Sequence, residues 1–118
     1  MMRRLYAAAD LLVMPSMHEA CGLTQMEAQT YGVVPVVRRC GGLADTIIAH
    51  CPGAANSTGI VFDRPTVADL SAALEMALRL LPTDDFADLR RRCMNAPRSW
   101  EAAVGAYERL YLPTEEGN

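Results

Sequence analysis

The sequence contains no lysine at all, and its 11 basic residues are all arginine against 14 acidic ones, a net charge of −3. A surface that grips nucleic acid or an acidic membrane needs a basic excess, so the charge balance argues against both partner classes. The four cysteines, Cys21, Cys40, Cys51 and Cys93, include no Cys-x-x-Cys pair, which argues against a zinc knuckle and a thioredoxin-like site. Only two histidines are present. His18-x-x-Cys21 and His50-Cys51 fall short of the four convergent ligands of a structural zinc site, so no metal is expected. No apolar run approaches the roughly 20 residues of a membrane span. Met1-Met2-Arg3-Arg4 leads into a short alanine stretch that soon meets Asp10, which is not a secretion signal. The expectation is an intracellular protein with reduced thiols.

What is present is enough apolar residue, 51% of 118 positions, to bury the core of one domain. Met2 to Ala9 is alanine-rich and reads as the tail of a helix that begins upstream. Leu11-Leu12-Val13-Met14 is a continuous apolar run, the pattern of a parallel strand buried on both faces, and Pro15 ends it. A helix is expected from Leu23 to Tyr31, with Leu23, Met26 and Thr30 facing the sheet and Gly32 as its left-handed cap. Val33 to Val37 is the next strand, with Pro35 marking an edge or an irregularity. A short helix from Leu43 to Ala49, a surface loop from His50 to Thr58 and a strand from Gly59 to Phe62 follow. Thr66-x-x-Asp69 opens an amphipathic helix bearing Val67, Leu70, Leu74, Leu78 and Leu81, which Pro82 stops. Phe86 to Asn95 reads as a helix whose Arg90-Arg91-Arg92 run is solvated. Ser99 caps a last helix with Trp100, Val104, Tyr107 and Tyr111 as a core-facing stripe. Strands alternating with helices specify an α/β layer fold around a parallel sheet.

The chain is organised around Met14 to Leu43. Glu19 lies in the loop before a helix and Glu27 about four residues into it, roughly 6 Å along the axis, so both face a ligand lying across the helix start. The amides of Cys21, Gly22, Leu23 and Thr24 are among the donors such a helix start presents to phosphate or sugar oxygens. This loop follows a strand at its carboxyl end, where open α/β sheets bind ligands. Gly41-Gly42 either brings backbone close to a ligand or starts a helix. Arg38 and Arg39 either raise the local potential for a diphosphate or have a solvated or interdomain role.

The segment Ser16-Met17-His18-Glu19-Ala20-Cys21-Gly22-Leu23-Thr24-Gln25, followed by Val36-Val37-Arg38-Arg39-Cys40-Gly41-Gly42-Leu43-Ala44-Asp45-Thr46, resembles the carboxyl-terminal donor-binding domain of bacterial glycogen synthases and plant or algal starch synthases. Thr58 to Asp63 and Ser99-Trp100-Glu101 extend the likeness over nearly the whole chain. Met17-His18 stands where the family commonly has Arg and an aromatic, Ala20 where it has Pro, and Glu27 at a position often filled otherwise.

The resemblance implies a Rossmann-like parallel sheet with flanking helices, residues 1–112 being part of the carboxyl-terminal domain of a retaining GT-B glycosyltransferase and 113–118 a tail. It implies transfer of glucose from a nucleotide-sugar donor, ADP-glucose, to the end of an α-1,4-glucan acceptor held by a separate amino-terminal domain, without a cofactor. By the same resemblance Glu19 is the catalytic carboxylate, orienting the donor glucose. Cys21, Gly22, Leu23 and Thr24 contact sugar or phosphate, and Glu27 takes the ribose. The cytoplasm or the plastid stroma would be the compartment. Family members also use an Arg and a Lys from earlier in the domain, so this chain alone is expected to be inactive. A non-catalytic fragment, or a relative using another donor such as UDP-glucose, stays open.

Overall fold

The computed structural model describes residues 1–111, and the tail expected over 113–118 lies outside them. The elements run α1 (Met2–Ala8), β1 (Leu11–Met14), α2 (Leu23–Thr30), β2 (Val34–Arg38), α3 (Gly41–Thr46), β3 (Ile60–Phe62), α4 (Val67–Leu80), α5 (Asp84–Asn95) and α6 (Trp100–Tyr111). The three strands form one parallel sheet in the order β1-β2-β3. Val36 of β2 pairs with Val13 on one side and with Ile60 on the other.

Side chains alternate across the central strand, as period-2 geometry requires. Val34 and Val36 pack with Leu11, Ile60 and Phe62 under α4 and α5, where Ala73, Ala77, Phe86, Leu89 and Cys93 close the layer. Val33 and Val37 meet the opposite layer, built on Tyr6, Ala28, Leu43 and Ile47 of α1 to α3 and the turn after α3. The parallel α/β architecture expected from the sequence is therefore present.

Several expected faces are different. β1 is not buried on both sides: Val13 is 40% exposed and its neighbours are half-buried, because β1 is the outermost strand and pairs on one side only. Pro35 sits in the central strand, fully buried. The ladder with β3 begins only at Val36, and Pro35 lies against Gly59, where an added methyl group would meet its ring at 2.9 Å. In α2 the buried face is Gln25, Ala28 and Gln29 rather than Leu23, Met26 and Thr30. Gln29 donates to the Thr58 carbonyl at 2.7 Å and accepts from Arg98.

The cap of α4 is as expected, Thr66 Oγ1 accepting from the Asp69 amide at 3.2 Å. Its inward stripe, however, is Leu70, Ala73, Leu74, Ala77 and Leu80, while Val67, Leu78 and Leu81 are exposed. In α5, Arg90 pairs with Asp10 and Arg92 donates to the Ser57 carbonyl at 3.0 Å, so only Arg91 of the three stays on the surface with Asp88. Trp100, Val104, Tyr107 and Tyr111 are all exposed rather than core, since other helices already cover both faces of the sheet. Among the described residues no helix is long and apolar enough to cross a membrane.

Candidate functional site

The site is built where two loops leave the carboxyl edge of the sheet side by side. The first, Pro15 to Gly22, joins β1 to α2; the second, Arg39 and Cys40, joins β2 to α3. Gly22 caps α2 in the left-handed conformation, φ 67° and ψ 52°. A side chain there would be strained, and would also collide with Gln25, whose amide lies within 2.3 Å of where a Cβ would stand.

Glu19 turns back on its own loop. One carboxylate oxygen accepts the Gly22 amide at 3.2 Å, and the Glu19 carbonyl accepts the Gly42 amide at 2.9 Å. The second contact brings the loops into direct apposition. A Cβ on Gly41, where φ is +45°, would lie 1.8 Å from the Glu19 carbonyl oxygen, and one on Gly42 would lie 2.4 Å from the Cys21 carbonyl. Gly41-Gly42 therefore does two things at once: it starts α3, and it lets that start close on the Glu19–Cys21 backbone.

Behind this contact Gln25 is fully buried, donating at 2.9 Å to Thr46 Oγ1, which in turn donates to the Gly42 carbonyl at 2.6 Å. The amides of Leu23, Thr24 and Gln25 in the first turn of α2 have no earlier turn to bond to. Leu23 is 68% exposed, and Thr24 and Glu27 are also exposed. Glu19, Cys21, Gly22, Gly41 and Gly42 are thus in one contact cluster, with Leu23 and Thr24 beside it. Glu27 lies one turn further along an exposed face. The Gly22 amide, expected as an open donor, is taken by Glu19.

The arginines after β2 are engaged as well. Arg39 forms an ion pair with Asp63 at 2.7 Å, and Arg38 donates to the carbonyls of Ser16, Met17 and Asp63. The roles of Arg38, Cys40, Gln25 and Thr46 around this loop were not legible beforehand. The only signal was their position within the two recognisable blocks. No group of three or more His, Cys, Asp or Glu able to hold a metal occurs among the described residues.

Residues 1–100 match the family Glycosyl transferases group 1. The chain is 44% identical over 110 residues to a glycogen synthase of Gloeobacter violaceus, covering 92% of this chain and 24% of that protein. A glycogen synthase of Pseudomonas fluorescens is also 44% identical over 110 residues, with 92% and 20% covered. Among solved structures, the catalytic domain of starch synthase IV from Arabidopsis thaliana, bound to ADP and acarbose, superposes with a TM-score of 0.78 at 33% identity, over 90% of this chain and 22% of that one. A sucrose-phosphate synthase from Thermosynechococcus elongatus gives 0.62 at 28% identity, over 91% and 26%. The chain thus spans a quarter or less of the length of the curated relatives it matches. With the parallel α/β layers and the paired loops at their carboxyl edge, it belongs to the group 1 glycosyl transferases and is similar, within them, to glycogen and starch synthases.

Proposed function

We propose that this chain is the donor-binding part of a glycogen or starch synthase that transfers glucose from ADP-glucose to the non-reducing end of an α-1,4-glucan with retention. The observation that carries this is the Glu19–Gly22 turn, held against Gly41-Gly42 at the carboxyl edge of the sheet. Residues 1–112 form part of the carboxyl-terminal nucleotide-sugar-binding domain, and a further domain supplies the glucan site. The preference for ADP rests on the starch synthase structure bound to ADP, the stronger of the two structural likenesses.

In this arrangement the unpaired amides of the first turn of α2 and the positive end of its dipole receive diphosphate oxygens, assisted by the Thr24 hydroxyl. Glu19 is already fixed on one oxygen by the Gly22 amide, which leaves its other oxygen to accept from the sugar hydroxyls. Oriented groups of this kind stabilise developing charge without reorganising during transfer. Glu27, one turn along α2, reaches the ribose. Because Arg38 and Arg39 are both engaged and no lysine is present, neither arginine at this edge of the sheet is free to neutralise the leaving diphosphate, and the chain is inactive by itself.

The test replaces the matching 110 residues of the Gloeobacter glycogen synthase with this segment and measures glucose transfer from ADP-glucose and from UDP-glucose to glycogen. Glu19→Gln in that chimera keeps an oxygen for the Gly22 amide while removing charge. A charge-assisted hydrogen bond contributes about 1.5–3 kcal/mol, so kcat should fall at least about tenfold. Glu27→Gln should chiefly raise the donor KM. A folded chimera that transfers no more glucose than its Glu19→Gln variant refutes the proposal, and a preference for UDP-glucose refutes the donor assignment.

A further inference from the structure

We propose that Arg38 is a positioning residue: its guanidinium sets the backbone of the Ser16–Met17 segment and so aims Glu19 and the start of α2. The inference rests on the donor-site reading above. Arg38 is the last residue of β2, the central strand, and its side chain bridges the loops that follow the two flanking strands, β1 and β3. Nη1 donates to the Ser16 carbonyl at 3.2 Å and the Met17 carbonyl at 3.0 Å, and Nε donates to the Asp63 carbonyl at 3.2 Å. The Ser16 carbonyl also accepts from the Cys40 thiol at 3.3 Å.

These bonds matter because little else pins the segment. Pro15, Met17 and His18 are exposed, so no apolar side chain of theirs anchors the loop in a core. The loop is instead held at two points: at Ser16 and Met17 by Arg38, and at Glu19 and Cys21 by Gly41-Gly42. Glu19 lies within the second clasp, two residues after Met17, and a shift at the first is transmitted directly to its carboxylate. Three donor hydrogens of Arg38 are spent on carbonyls, which is the work of a brace rather than of an anion ligand. The planar fork of a guanidinium reaches several carbonyls at once, whereas a lysine presents one point charge on a flexible stem.

The experiment uses the 118-residue chain, with amide hydrogen exchange in the absence of ligand and ADP titration as parallel readouts. Arg38→Gln should lower the protection of the Gly22 and Gly42 amides at least tenfold and weaken ADP binding at least tenfold, with α4 amides unchanged. Arg39→Gln removes the same charge without touching the loop carbonyls, and should leave both amides protected. Should Arg38→Gln fail to fold, Arg38→Lys makes the same comparison: it keeps the charge, loses the fork, and should still loosen both amides. Weaker ADP binding with both amides fully protected would show that Arg38 touches the ligand itself and overturn the proposal, as would no change in either readout. If the unmodified chain binds no ADP while Arg38→Gln still frees both amides, the brace stands and the donor-site reading fails.

Discussion

Among the glycines described, the tightest surroundings are those of Gly41, and they offer the most direct test of how the two loops are held together. Replacing Gly41 by Ala would place a methyl carbon 1.8 Å from the Glu19 carbonyl oxygen, where ordinary contact begins near 3.4 Å. The loop would have to retreat by roughly 1.5 Å, which breaks the 2.9 Å bond from the Gly42 amide to that oxygen. The positive φ costs about 1 kcal/mol for an L side chain, the lost hydrogen bond about 1 kcal/mol, and the overpacking about 1–3 kcal/mol. The sum is about 3–5 kcal/mol, or roughly 12–20 °C in Tm for a chain of this size. Gly53 is the control: its φ is +78° but nothing lies within 4 Å of an added Cβ. Gly53→Ala therefore carries the conformational cost alone, about 1 kcal/mol. Urea and thermal melts of both variants, followed by circular dichroism, measure the difference. If Gly41→Ala were no more destabilising than Gly53→Ala, the contact between the two loops would not be what holds the site.

Gly105 lies inside α6 with its nearest neighbour, Arg109, 3.9 Å from an added Cβ, so Gly105→Ala should stabilise that helix by about 1 kcal/mol and raise the helical circular dichroism signal. Cys93 is fully buried, donates to the Thr58 carbonyl at 3.0 Å, and burial pushes its thiol up to about 11 from an ordinary value of 9.0. A folded-state value above the unfolded one means that this contribution to stability is complete below pH 9 and is lost as pH rises towards 11. Unfolding free energies should therefore fall by on the order of 2 kcal/mol across that window, and Cys93→Ser should flatten the decline. At pH 8 an alkylating reagent should label the exposed Cys21 and Cys51 well before Cys93, as peptide mapping would show.

The fold was legible where a single local rule governs it. Continuous apolar runs marked β1 and β2, the Thr66 cap marked the start of α4, and Gly32, with φ +79°, sits where α2 was expected to stop. Helix faces were less legible, because apolar periodicity cannot register a polar side chain whose partner is distant in sequence. Gln29 replaces a hydrophobe in the core of α2 because its amide meets Thr58, 29 positions away, and Arg98, 69 positions away. In α4 apolar spacing favours the larger Val67 and Leu78 over the small side chains Ala73 and Ala77. Close approach to β2 and β3 favours small residues, and the larger ones were left outside. The exposed stripe of α6 has the same apolar spacing as a buried one, and spacing alone does not say whether a partner surface lies opposite.

The sequence names the residues of the candidate site but not the way they meet. Glu19, Gly22, Gly41 and Gly42 were singled out by resemblance in two separate blocks, about twenty positions apart, with Gly41-Gly42 expected to approach a ligand. In the structure the second block also lies directly against the first. Each glycine removes a Cβ that would strike the Glu19 or Cys21 backbone, and the Gly42 amide takes the Glu19 carbonyl. Arg38, from the same second block, closes on Ser16 and Met17 at the other end of the same loop. The two blocks are therefore one physical object, a loop and the surface that shapes it. A chain carrying the Glu19 block without Gly41-Gly42 would retain the carboxylate and lose the geometry that points it, which is why the pair of blocks specifies a site and two glutamates at the same spacing do not.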